Sequence, residues 1–235
     1  MISFCKLDEM LSRIIFVLVL FFLSACVKDN TNIDSNTYES YFPLELGTYV
    51  DYQVLEIQHD INAAVPSDTM SYLLRTVIGD TITDNQGRLS RKFIRKRRDS
   101  NNEPWVISDV WTTLINQNRV EVVEENERKV WMVLPPLNST IWDLNAQNIQ
   151  DEIFCNYDGI HESLIVNGIQ YDSVVTIEQE DVLNLISFRR KYTQYANNVG
   201  LINWYYKDLN IFNFDTLNIQ SGSEYMYKCI DFGIE

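Results

Sequence analysis

Two histidines, His59 and His161, and a basic run over 88–98 are the residues of this 235-residue chain whose types and spacing come nearest to chemistry. Neither histidine stands at a spacing that holds a metal or activates a nucleophile. The sequence contains no HExxH, no paired CxxC, no GxSxG and no glycine-rich phosphate loop. Most cofactor and covalent schemes therefore lack parts, and no catalytic residue, metal ligand or cofactor is assigned. A glycosidase needs only two carboxylates, and the 33 Asp and Glu residues supply them without marking any pair. In the basic run, Arg91, Lys92, Arg95 and Arg97 make a candidate patch for an anionic ligand, because the planar arginine fork engages phosphate and carboxylate bidentately. The competing expectation is a solvated strand whose cations face Glu121, Glu124, Glu125 and Glu127. Late aromatics, Tyr192, Tyr195, Trp204, Tyr205 and Tyr206, suit stacking on sugars. Consecutive strand residues alternate faces, however, so at least one of 204–206 is expected in the core.

The elements that must position these residues are strands. From residue 41 the dominant period is two, and short runs rich in β-branched and aromatic residues cover 48–57, 69–78, 89–97, 105–115, 120–124 and 130–134. Turn chemistry separates them, as at Pro66-Ser67-Asp68 and Asp84-Asn85-Gln86-Gly87. The clearest hairpin joins 162–166 to 169–179 through Asn167-Gly168, a pair that tolerates the positive φ values of a type I′ turn. Runs at 182–195, 201–208 and 225–230 complete the series. The fold class is mainly β: an antiparallel meander forming a curved sheet, open barrel or sandwich, with little helix. One domain is expected over 41–235, with an internal break near 135–150, where Pro135-Pro136 cannot donate to a ladder.

A net charge of −14 and a pI near 4.5 argue against nucleic acid as a partner, since a polyanion would be repelled over most of the surface. Of the four cysteines, Cys155 and Cys229 remain for the domain. A disulfide between them would close a long loop and add about 4 kcal/mol on the chain-entropy argument. Two separately buried thiols fit the sequence equally well.

The N-terminal segment reads as a secretory signal over 1–25. Arg13 introduces an apolar stretch from Ile14 to Phe22, which is too short to cross a bilayer, and Leu23-Ser24-Ala25 supplies the small-residue site. Asp8 and Glu9 are foreign to a basic n-region, so Met10 fits a start better than Met1. Cys26 closes the site in a way that resembles the lipobox of bacterial lipoproteins, which implies lipidation at Cys26 and membrane attachment through acyl chains. Residues 27–40 are polar and read as a tether, and Lys28-Asp29-Asn30 looks like the surface-export signals of some Bacteroidetes lipoproteins. The expected location is the outer membrane, lipid-anchored, on the periplasmic face or the cell surface.

Further motifs resemble an uncharacterised family of Bacteroidetes lipoproteins. Tyr41-Phe42-Pro43-Leu44-Glu45-Leu46-Gly47 matches its YFPL-x-x-G opening, and Tyr195-Ala196-Asn197-Asn198-Val199-Gly200-Leu201-Ile202 its YA-x-x-VGL-[IV] signature. The resemblance spans most of 41–209 and implies no catalytic residue. The expected function is a non-catalytic binding or structural module using the concave face of the sheet for a glycan or lipid ligand. The alternatives are a periplasmic carrier with a half-barrel cavity for lipid or lipoprotein, and an enzyme acting on envelope glycans.

Overall fold

The structure is a computed structural model, and it describes residues 38–235; Cys26, the signal segment and most of the tether lie outside the described residues. Twelve strands follow one another: β1 (Thr48–Asp60), β2 (Ser67–Thr83), β3 (Leu89–Arg98), β4 (Val106–Asn116), β5 (Arg119–Glu124), β6 (Glu127–Val133), β7 (Ile141–Asp143), β8 (Phe154–Val166), β9 (Ile169–Leu183), β10 (Ser187–Ala196), β11 (Gly200–Phe212) and β12 (Asp215–Ile234). They form a single antiparallel sheet in the order β6-β5-β4-β3-β2-β1-β12-β11-β10-β9-β8-β7. Each strand therefore pairs with its sequence neighbour, except that β1 pairs with β12 and the two edges, β6 and β7, face each other. The sheet is nearly closed into a barrel, with an unsealed seam at that meeting. The break expected near 135–150 is where the chain passes from one edge of the sheet to the other.

Two-residue turns account for the tight meander. Gln117-Asn118, Glu125-Asn126, Asn167-Gly168 and Asn213-Phe214 all have positive φ at both positions. Their local twist matches that of the strands they join. Only the Asn-Gly pair is evident from sequence; the other three depend on asparagine tolerating the left-handed region.

Alternate side chains fill the interior. Tyr52 stands opposite Leu74 on β2 and Cys229 on β12, and Val54 opposite Tyr72 and Tyr227. Rings continue inward from other strands: Trp131 lies edge-on to Phe93, Trp111 and Trp204, with centroids 6.0–6.3 Å away, and Trp204 meets Tyr227 at 5.1 Å. Burying one such ring contributes roughly 2–3 kcal/mol.

The opening segment plugs one end of the barrel. Phe42 packs among Phe93, Trp131 and Tyr195, and is 4% exposed. The Asn198 amide donates to the Ser40 carbonyl at 2.8 Å, and the Ser40 hydroxyl donates to the Asn197 side chain. Pro43 lies against Gly200, and Asn198 and Gly200 both have positive φ. Gly47 has φ +83°, and a Cβ there would stand 2.5 Å from the Glu235 carbonyl oxygen, so that position requires glycine. The 41–47 and 195–202 motifs thus touch each other and build the plug.

The seam is held by side chains and one backbone bond in place of a ladder. The Val130 amide donates to the Leu144 carbonyl at 2.8 Å. The Trp142 indole donates to the Val130 carbonyl at 2.9 Å, the Asn148 amide to the Arg128 carbonyl at 2.8 Å, and the Tyr157 hydroxyl to the Val133 carbonyl at 2.6 Å. Edge carbonyls of β6 that would template another strand are occupied in this way.

A second fastening holds the β2–β3 hairpin over β5 and β6. Asp84 contacts Arg88 at 2.9 Å and Arg128 at 3.1 Å, while Glu121 contacts Arg88 at 3.2 Å and Arg128 at 2.9 Å. Both carboxylates are nearly inaccessible, with side chains 6% and 3% exposed.

Candidate functional site

Strand pleating divides the basic run between two faces. Phe93 pairs with Trp111, and Arg91, Arg95 and Arg97 share its inward face, whereas Lys92, Ile94, Lys96 and Arg98 face outward. The four-residue patch is corrected accordingly, because Lys92 does not share a surface with the three arginines. Of the expected pairing with Glu121, Glu124, Glu125 and Glu127, the run supplies one contact, from Arg88 to Glu121 at 3.2 Å. Glu121 is taken by Arg88 and Arg128, Glu124 by Lys129, and Glu127 by Gln150.

The inward arginines have different neighbours. The Arg95 guanidinium lies 4.3 Å from the Trp111 ring centroid, donates to the Tyr227 hydroxyl at 3.2 Å and reaches Asp109 at 3.5 Å. Arg97 lies 3.9 Å over the Tyr72 ring and contacts Asp99 at 3.0 Å. The Tyr72 hydroxyl donates to Glu56 at 2.5 Å, and burial first, then that bond, raise its pKa. Arg91 sits at the opposite, plugged end and donates to the Thr81 hydroxyl at 2.9 Å. On the outward face, Lys96 and Arg75 converge on Glu235, and Arg75 also grips the buried Asp51 through two bonds of 2.6 and 2.8 Å.

Arg91 belongs to a groove of about 600 Å³ between the plug and the ends of β2, β3 and β4. Phe42, Pro43, Leu44, Leu114 and Ile115 give it apolar walls, and Glu39 and Glu45 lie on the plug side. Ser90 lines it as well, 3% exposed, and its hydroxyl has no hydrogen-bond partner. That volume lies within the roughly 300–1,000 Å³ of sites that enclose small ligands. By contrast, the gap beside Phe42, Tyr52 and Phe93 in the interior is about 30 Å³, room for a water or two and not for an acyl chain.

Carboxylates converge elsewhere, at a cleft of about 240 Å³ lined by Asp158, Glu162, Glu178 and Glu180. Burial raises the Glu178 pKa, and the negative charges of Asp158 and Asp181 raise it further. Arg189 and Lys191 pair with Glu180, each at 2.9 Å. This is the smaller space and falls below the ligand-enclosing range of roughly 300 Å³ upward. Among the described residues, no group of three or more His, Cys, Asp or Glu side chains could hold a metal ion.

No protein-family model matches the chain, and no curated protein matches it.

Two constellations escape sequence reasoning. His161, at φ 57°, brings Nδ1 to 2.5 Å from the Tyr41 hydroxyl and 3.2 Å from the Ser173 hydroxyl, which is itself 2.6 Å from Tyr41. The available signal is the register imposed by the Asn167-Gly168 turn, which brings 161 near 173 across the hairpin. His59 bonds Glu224 at 2.9 Å and Ser67 at 3.0 Å, and Lys207 holds the other Glu224 oxygen at 2.8 Å. Both histidines fasten strands together. Of the late aromatics, Tyr195 is core at 2% exposure and Trp204 faces the interior cluster, while Tyr192 and Tyr205 stack at 5.0 Å on the outer face.

Cys155 and Cys229 are free thiols, both buried, on β8 and β12 with three strands between them. Of the two readings the sequence leaves open, a disulfide or two separate core thiols, the structure has the separate thiols. Burial pushes the Cys155 thiol up to about 12 and the Cys229 thiol up to about 11. At pH 8 both stay protonated and shielded, so iodoacetamide should label neither in the folded chain and both after denaturation, as read by peptide mass spectrometry. Labelling of either in the folded state would contradict this placement.

Proposed function

We propose that the chain is a lipid-anchored protein of the outer membrane whose filled barrel serves as a non-catalytic binding module. The observation that carries this reading is the groove of about 600 Å³ at the plugged end, apolar-walled and holding one arginine. Among the described residues, the rings that meet across the interior and the gap of only about 30 Å³ beside Phe42, Tyr52 and Phe93 argue against the carrier alternative, which requires a half-barrel cavity. Attachment through Cys26 rests on the lipobox-like run Leu23-Ser24-Ala25-Cys26, and the Bacteroidetes assignment rests on the 41–47 and 195–202 motifs. Contact between those motifs at the plug gives them a structural reason and assigns them no chemistry.

Two measurements test the reading. Metabolic palmitate labelling of a Bacteroidetes host should mark the wild-type chain and be lost in Cys26→Ala, with that variant leaving the membrane fraction; unchanged membrane association would defeat the anchor. Native mass spectrometry of the full chain purified from the same host should show a small-molecule adduct. Leu89→Trp, at a position 73% exposed, should fill the groove and remove it. An apo mass in both proteins would count against the binding module.

A further inference from the structure

We infer that the groove at the plugged end takes an amphiphilic monocarboxylate, with Arg91 engaging the carboxylate and the apolar walls taking the hydrocarbon; this rests on the binding reading above and names its ligand class. Among the described residues, the inward arginines differ in one respect. Arg95 has Asp109 and Arg97 has Asp99, while Arg91 has a neutral hydroxyl, Thr81, at 2.9 Å. A guanidinium presents five donors in a fixed fork, and one hydroxyl leaves most of that fork open for a carboxylate.

The remaining lining sets the rest of the ligand. Phe42, Pro43, Leu44, Leu114 and Ile115 offer no polar side-chain atom and, with Leu89, outnumber the hydroxyls of Ser40, Thr81 and Thr113 in the lining, so the body of the ligand is mainly hydrocarbon. Glu39 and Glu45 lie on the plug side of the groove, and the chain as a whole carries −14. A second negative charge on the ligand would meet that field, which selects a monoanion over a dicarboxylate or a phosphate.

Isothermal titration of the full chain with octanoate, 1-octanol and succinate tests the assignment. Octanoate should bind the wild type more tightly than 1-octanol, with no detectable succinate binding. In Arg91→Met the octanoate affinity should fall at least tenfold while 1-octanol is unaffected. Arg91→Lys, which keeps the charge and loses the fork, should fall between the two and guards against a folding defect in the methionine variant. Equal binding of octanoate and 1-octanol, or octanoate binding indifferent to Arg91→Met, would overturn the carboxylate assignment. The binding module would survive that result if Leu89→Trp still abolished both. Succinate binding tighter than octanoate would overturn the monoanion class. Absence of binding by both octanoate and 1-octanol would overturn the inference and the groove reading together.

Discussion

Replacing Trp142 with alanine is expected to lower stability by about 3–5 kcal/mol, the range for truncating a large buried aromatic. Trp142 is 8% exposed, packs on Tyr157 at 5.2 Å between ring centroids and pairs with Cys155 across the β7–β8 ladder. Its loss therefore opens a cavity. It also strands the Val130 carbonyl, which has the indole N–H as a donor at 2.9 Å. Tyr157→Phe isolates the polar part, since it removes the hydroxyl that donates to Val133 and keeps the ring; it should cost about 1–2 kcal/mol. Urea denaturation of the three proteins gives both differences. Because the middle of the β6 edge would then present the Val130 carbonyl unpaired, with the indole that covers it gone, Trp142→Ala should also self-associate in sedimentation velocity through edge pairing. A loss below about 1 kcal/mol with a monomeric variant would mean that the seam is held by something other than this indole.

The seam also shows where sequence stops being informative. Strand periodicity predicts most of the ladder, because in a barrel with one filled face every strand must alternate, and 48–57, 69–78 and 89–97 fall inside β1, β2 and β3. It places a strand end near 180 and merges the 184–186 turn into a run from 182. There Asn184 makes its turn through its own side chain, accepting from the Ile186 and Ser187 amides, with no glycine or proline to mark it. β7 is three residues long, too short for any period to register. The hairpins at Gln117-Asn118, Glu125-Asn126 and Asn213-Phe214 lack the glycine that makes Asn167-Gly168 conspicuous.

Legibility of the site follows the same logic. Period two already implies that Arg91, Arg95 and Arg97 cannot share a face with Lys92. The height of each arginine along the barrel, and so which of them meets an acid on a neighbouring strand, depends on β3 pairing with β2 and β4 in a particular register. The groove needs the plug as its second wall, and residues 39–45 show no strand period that would place them over β3. Their docking is set by contacts some 150 residues distant, from Ser40 to Asn197 and Asn198.

The second large effect is expected at the four-membered ion cluster. Glu121→Ala should cost about 3–5 kcal/mol, because Arg88 and Arg128 would be left to share the single carboxylate of Asp84, with one charge uncompensated in a site where Glu121 is 3% exposed. Arg128→Met leaves both carboxylates with Arg88 alone and should also destabilise, by a smaller amount, since Arg88 is the more solvated arginine at 25% exposure against 14%. Acid titration adds a direction. The Arg88 amide and guanidinium and the Gln86 amide hold the Asp84 carboxyl down at about 2, below the ordinary carboxylate value of 3.8. A depressed carboxyl stabilises the fold above its unfolded pKa, so the Asp84 contribution should be intact above about pH 4 and fade as pH falls toward 2. In Asp84→Asn that acid-dependent loss should shrink, while stability at pH 7 is lower from the start. Urea midpoints at pH 7, 4 and 2.5 for the wild type, Asp84→Asn and Glu121→Ala give the comparison. Parallel pH curves for wild type and Asp84→Asn would show that this carboxylate does not set the acid limit of the hairpin, and a Glu121→Ala midpoint equal to wild type would show that the hairpin is held over β5 and β6 by packing alone.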